Sequence, residues 1–344
     1  MSDGSFTRKQ LIVTFDVVNQ DGSHDSLTLA ENHRIRATIS HAGMSIGSEL
    51  ALTIEGMSPD KIARLSYLKN TPNVINPTLR NQSSSTVTVR AGTYGTALPI
   101  AFHGMVWESY ASFNGGSSTF TVKALTVVAL AKVIPPALSY RGPRTVSSIF
   151  QDICTGAGIT LVDHGGWDTY GTLYNHYVEG TKLDQIEGTL EATGGTYDFV
   201  PIVRTEDHER VSVSGTLHIW GPNYNGTQGK PQPSAPLISS QSGMVGYPNY
   251  SATGLTFSCL FRQDIAFYVP LQVSSQQMPA GWQEVGTTGK NQQGQTLRIP
   301  SKPYDGLWLP IYVSHDLSAE VPNGPWFTTA ECQRTDMTGY VLPH

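Results

Sequence analysis

Apolar and polar positions alternate with period two over most of the first third of the chain. Leu11, Val13, Phe15 and Val17 form one such series, which Asp21-Gly22 ends as a turn. Ile35, Ala37 and Ile39 alternate against Arg34, Arg36 and Thr38, and Leu50, Leu52 and Ile54 repeat the pattern. Val87 with Val89, and Phe120 with Val122, do so again. Strands of this kind, set at short intervals between turn signals, predict an antiparallel sandwich or barrel. One helix is expected inside it. Ser58-Pro59-Asp60 offers a capping hydroxyl, a proline for the first turn and an acid at the positive helix end. Ile62, Leu65 and Leu68 then share a face, and the helix closes near Asn70.

The period becomes helical from about Tyr140. Val146, Ile149, Phe150 and Ile153 stand at i, i+3, i+4 and i+7, and Gly156 and Gly158 end that helix. A second helix starts at Thr181, where Asp184 completes a capping box with a shorter acid. Leu183, Ile186 and Leu190 line its inner face, and Gly194-Gly195 stops it. Gly165–Tyr177 reads as strand and loop, and Tyr197–Val203 as strand. After Val211 strands return at Leu217–Trp220, at the alternating Leu255, Phe257, Cys259 and Phe261, and at Leu307–His315. Gly221–Pro236 reads as a long loop, and Met278–Pro300, rich in Gln, Gly and Thr, as a mobile insertion. The expected fold class is therefore mainly β with an α+β insertion. Its domains are a tube-like antiparallel barrel over 1–138, a small α/β module over 139–212 and a second tube-like barrel with loop insertions over 213–344.

Composition supports that reading. Only 14% of residues are charged, while glycine (34) and proline (21) are plentiful, which suits many turns better than solvated helices. A net charge of −5 lacks the basic footprint of a protein that grips nucleic acid by its phosphates. No apolar run approaches the ~20 residues that span a bilayer. Met1–Gln10 is polar, without the apolar centre of a signal peptide, so assembly in a cytoplasm is expected.

Candidate chemistry is sparse. Cys154, Cys259 and Cys332 are widely spaced and form no CxxC pair, so they read as small buried apolar residues. The histidines, among them His33, His41, His103, His164 and His218, show no HxxxH or HExxH spacing. Walker and GxGxxG motifs are missing. A glycosidase needs two carboxyls about 5–9.5 Å apart across a cleft. Glu49 and Glu55 flank strands, however, and Glu187 with Glu191 reads as one solvated helix face. No catalytic, cofactor or metal residue is assigned, and no enzymatic activity is expected. The aromatics Trp220, Tyr224, Tyr247, Tyr250, Trp308, Tyr312, Trp326 and Phe327 crowd the last third. Core packing, a protein interface and a sugar-stacking platform are the three readings open for them, in that order.

Several strings in order along the chain resemble the baseplate hub proteins of contractile-tailed bacteriophages, the late control protein D-like family. Asn32–Ala37 and Leu50–Ser58 are similar to the family's opening strand and turn, with Pro59–Leu68 as the helix that follows. Phe102–Val106 resembles a later barrel strand, and Tyr177–Thr181 the lead-in to the second helix. Ser242–Pro248 with Gly254–Phe261 resembles the return into a second barrel. His315–Leu317 and Gly324–Thr328 resemble the closing segment. Met278–Pro300 departs from the pattern, and a fused cell-wall hydrolase is not expected.

The resemblance implies a homotrimer whose two barrels per chain form a quasi-sixfold ring. Such a ring is a symmetry adapter between the hexameric tail tube and the threefold central spike. Wedge or other baseplate proteins are further implied partners, with a tape-measure protein as a candidate occupant of the bore. DNA would only pass through the lumen, and no membrane span or cofactor is implied. The place implied is the virion tail baseplate. The alternative reading is a tail-tip cell-wall hydrolase or carbohydrate-binding component.

Overall fold

The structure is a computed structural model that describes residues 7–18, 24–43, 47–66, 85–114, 117–156, 158–202, 214–224, 226, 235–250, 254–275, 288–290, 296–298 and 306–334. The fold is mainly β with few helices. It divides into two compact units: Phe6–Asn223 with Asp316–Trp326, and Tyr224–His315 with Phe327–His344 and the first five residues.

In the first unit, seven strands form one antiparallel ladder. They are β1 (Lys9–Val18), β2 (His24–Leu29), β3 (Arg34–Gly43), β4 (Gly47–Glu55), β5 (Thr86–Thr93), β6 (Ile100–Asn114) and β7 (Ser117–Leu125), paired in the order β2-β1-β5-β6-β7-β4-β3. The alternation read from the sequence sets the register. Leu11, Val13 and Phe15 lie opposite Ala91, Val89 and Val87. Ile35, Ala37 and Ile39 oppose Ile54, Leu52 and Leu50, which in turn oppose Phe120, Val122 and Ala124. All of these side chains are buried, so a slip of one residue would turn the whole apolar set to solvent. Helix α1 (Pro59–Leu65) buries Ile62 and Leu65. Ser58 caps it only through its carbonyl, which accepts from Ile62 N–H at 3.0 Å; its hydroxyl makes no capping bond. Leu68 and Asn70, expected at the helix end, lie outside the described residues.

The rest of this unit is an α/β layer. It contains α2 (Val128–Lys132), β8 (Leu138–Ser139), β9 (Pro143–Thr145), α3 (Val146–Cys154), β10 (Ile159–Asp163), β11 (Thr172–Tyr174), β12 (Tyr177–Val178), α4 (Lys182–Glu191), β13 (Thr196–Pro201) and β14 (Gly215–Trp220). β14 runs parallel to β10 and antiparallel to β13, in a three-stranded sheet. The strand at Leu217–Trp220, expected to open the second β-rich module, therefore belongs to the α/β layer. Val146, Ile149, Phe150 and Ile153 of α3 are all fully buried against this sheet's inner side chains Leu217, Ile219, Tyr197 and Phe199. Met105 of β6 and Val128 and Leu130 of α2 join the same core. The expected boundary at 138 thus falls inside one packed body. The capping box at α4 is complete: Thr181 Oγ1 accepts from Asp184 N–H, and Asp184 Oδ2 accepts from Thr181 N–H at 2.7 Å.

The second unit contains β15 (Leu237–Ile238), β16 (Met244–Tyr250), β17 (Leu255–Leu260), β18 (Leu271–Val273), β19 (Thr288–Lys290), β20 (Thr296–Arg298), most of β21 (Gly306–Ala319) and β22 (Trp326–Arg334). Its ladder runs β16-β17-β22-β21-β18-β15. β19 and β20 pair with each other inside the expected insertion Met278–Pro300, whose remaining residues lie outside those described. Leu255, Phe257 and Cys259 of β17 pack with Ala330 and Cys332 of β22 and with Trp308 of β21. Most of the expected loop Gly221–Pro236 lies outside the described residues.

Candidate functional site

The residues singled out from the sequence separate into structural contacts and two surface groups. His33 Nδ1 donates to the Glu31 carbonyl, and His41 Nδ1 pairs with Ser48 Oγ at 2.7 Å. His103 pairs with Thr88, and His315 with Thr328, each through Nδ1 at 2.8 Å. Burial pushes His41 and His103 down to about 4, so both are neutral near pH 7 and serve as hydrogen-bonding core groups. Glu187 accepts from Tyr197 Oη at 3.4 Å, and burial raises its carboxyl, whereas Glu191 is exposed. Glu55 pairs with Arg34 at 3.6 Å. All three cysteines are buried and unbridged, and burial pushes Cys154 up to about 11 and Cys259 up to about 12. Thiols held in that state are poor nucleophiles and poor ligands.

A titratable cluster lies at the end of the three-stranded sheet, and sequence spacing did not reveal it. β10 and β14 pair Asp163 with Ile219, so the next residue along, His164, comes beside Trp220. Their rings stack with centroids 4.7 Å apart and planes 6° apart. His164 Nε2 lies 3.0 Å from His218 Nδ1, so one imidazole donates and the other accepts. Burial holds His218 at about 4, with His164 as a second depressing influence; burial also lowers His164. Directly across the strand from His218 is Asp198, whose buried Oδ1 has no hydrogen-bond partner. Burial pushes that carboxyl up to about 6.

The surrounding loops lock this cluster in place. Asp163 Oδ1 accepts from both Gly165 N–H and Trp167 Nε1–H at 2.8 Å. Gly221 passes so close to the Gly166 backbone that a Cβ there would meet its carbonyl oxygen at 2.2 Å. Two neutral imidazoles sharing one proton can hold a strand end and a loop together. Among the described residues no three His, Cys, Asp or Glu side chains converge as metal ligands.

The aromatics of the last third are not one group. Trp308 is buried in the core of the second unit, and Tyr224 stacks on Tyr268. Tyr247 is 64% exposed, and Phe327 is also exposed; with Val245 and Leu260 they lie on β16, β17 and β22. The second exposed group is Tyr174 and Tyr177, on the short ribbons β9–β11 and β8–β12, with Tyr170 in the turn just before β11.

No protein-family model matches the chain, and no curated protein matches it. Solved structures do. A tail protein from Neisseria meningitidis MC58 superimposes with a TM-score of 0.51 at 10% identity, over 96% of this chain and 99% of that one. The chain shares its fold with a tail protein. A Francisella PdpA–VgrG complex matches at a TM-score of 0.50 and 10% identity, over 98% of this chain and 60% of the matched one. Identity this low carries the fold and no site residues.

Proposed function

We propose that this chain is the baseplate hub of a contractile phage tail or a related injection machine: a homotrimeric symmetry adapter. It joins a hexameric tail tube to a threefold central spike and lines part of the DNA conduit. Two tube-like β-rich modules per chain would present six such modules in a trimer, matching the sixfold face on one side and the threefold spike on the other. Its role is structural rather than catalytic, and it resides in the virion tail baseplate. The observation that carries this reading is the end-to-end fold match to a tail protein, 96% of this chain against 99% of that one. Partial coverage would have fitted a shared module inside an unrelated assembly. The buried thiols and the hydrogen-bonded histidines support a structural role, because the three cysteines are buried and His33, His41, His103, His164 and His218 each have a bonding partner. The test is an electron-microscopic reconstruction of the assembled particle with the chain tagged at a loop. The hub reading requires three tags around the junction of tube and spike. Tags along the tube, on the sheath or on fibres would reject it.

A further inference from the structure

The His164–His218 pair stands where the chain first leaves the first unit. β14 ends at Trp220, and Gly221–Asn223 are the last residues before the second unit begins at Tyr224. Three backbone bonds fasten this exit to the segment after β10. His164 N–H donates to the Ile219 carbonyl at 3.0 Å, Gly221 N–H to that of Gly165 at 2.8 Å and Asn223 N–H to that of Gly166 at 2.9 Å. The imidazoles add a side-chain bond across the same junction, 3.0 Å from His164 Nε2 to His218 Nδ1. Their ring centroids are 5.3 Å apart and their planes 20° apart. The N···N separation and the two ring radii account for that centroid distance, so the rings meet edge to edge with one N–H on the line between them. Nitrogens opposed along one axis suit a bridging proton and do not converge on a metal ion.

We propose that this pair is an acid-operated clamp: one bridging proton holds the exit Gly221–Asn223 to the Gly165–Trp167 loop, and protonation of both imidazoles releases it. Each neutral imidazole carries one N–H, and one of the two bridges. A first added proton keeps the bridge, because an imidazolium N–H still faces a neutral nitrogen. A second removes the acceptor, and two N–H groups on like charges then face each other. The surrounding groups set the order. Asp163, next to His164, favours the charged form of that ring, and so does the Trp220 face stacked on it. His218, held at about 4 chiefly by burial, takes the second proton. Asp198 faces it from β13 but, raised to about 6, is neutral by then and does not compensate. β14, Gly165–Trp167 and Gly221–Asn223 carry no other charged side chain. No group of β3, β4 or β6, the strands beside β13, contributes to the shift of either imidazole. The clamp is independent of the hub reading.

The test is amide hydrogen exchange of the full chain, corrected for the intrinsic rate, at about pH 6 and about pH 4. Once opened, the pair regains its ordinary affinity for protons, so opening becomes easier in acid. Protection of residues 163–167 and 218–223 should fall at least about tenfold, while that of the β3–β4 ladder holds. His218→Asn places an amide where Nδ1 stands, able to donate to a neutral His164 or accept from a protonated one. In that variant the extra fall should vanish. Where His218→Asn does not melt cooperatively, His164→Gln, with its amide at the place of Nε2, makes the same comparison. Wild-type protection of 218–223 that is unchanged at about pH 4, or that falls only together with the ladder, overturns the proposal. A fall that the amide variant retains also overturns it.

Discussion

Asp198 and His218 face each other across the β13–β14 ladder, and both ionise far from their usual ranges, chiefly through loss of water around the charged form. Burial raises the acid to about 6 and lowers the base to about 4, so across that interval both side chains favour neutrality. The strand pair thereby avoids an uncompensated charge only in mildly acidic conditions. Near pH 7 the carboxyl is ionised at a cost.

Replacing Asp198 by Asn should therefore stabilise the protein at pH 8, by about 1–2 kcal/mol, and have no effect near pH 4. The amide keeps the shape and removes the charge. Chemical denaturation of the two proteins at both pH values is the check. Equal stability at pH 8 would show that Asp198 is solvated.

The wider pH dependence has a definite sign. A histidine lowered from 6.5 to about 4 leaves the folded chain without a proton that the unfolded chain takes up. Its contribution is complete above ~6.5 and is lost as pH falls towards 4. His41, His103 and His218 act this way, joined by His164 and His176, which burial also lowers. Asp198 acts in the opposite sense, since its penalty grows as pH rises from 3.8 towards 6, and Glu187 and Asp316 are raised in the same direction. With the histidines the larger group, Tm should fall on acidification from pH 7 to 4.5. Differential scanning calorimetry at half-unit steps would measure it, and a flat or rising Tm would contradict the assignment.

The capping box at α4 should be worth a measurable amount. Thr181→Ala removes the hydroxyl that accepts from Asp184 N–H and should lower stability by about 1 kcal/mol. Thr181→Ser, which retains the oxygen, should recover most of the loss in the same urea titration.

Phe150 is fully buried in α3 and stacks against Trp167 at 6.4 Å. Phe150→Ala should cost about 3–5 kcal/mol by leaving a cavity. The loss should exceed that of Tyr174→Ala, an exposed aromatic on the β9–β11 ribbon, by several-fold. Parallel urea titrations would rank the two.

Period-two and period-3.6 patterns were legible wherever one face of an element is buried. Leu11 to Phe15, Leu50 to Ile54 and Val146 to Ile153 were all read correctly for that reason. β10 was not read, because it is only five residues long with a single buried side chain, Ile159, and its parallel partner β14 is more than fifty residues away. That same crossover is what draws Leu217–Trp220 out of the second β-rich module and into the α/β layer. α2 went unseen because Val128–Lys132 is a single turn without a capping side chain. The cluster of His164, His218 and Asp198 comes from two strands and the residue that follows a third, and no local spacing records it. The apolar face at Val245 and Leu260 did leave a signal, the run without charges from Pro231 to Phe261. Only the ladder order shows that β16, within this run, is the outermost strand of its ladder among the described residues.

The central claim, a trimeric hub, is tested most directly by the mass of the purified full chain in solution. Light scattering coupled to gel filtration at micromolar concentrations should give three times the 37.3 kDa protomer. A mass of one protomer across the accessible concentration range would contradict it.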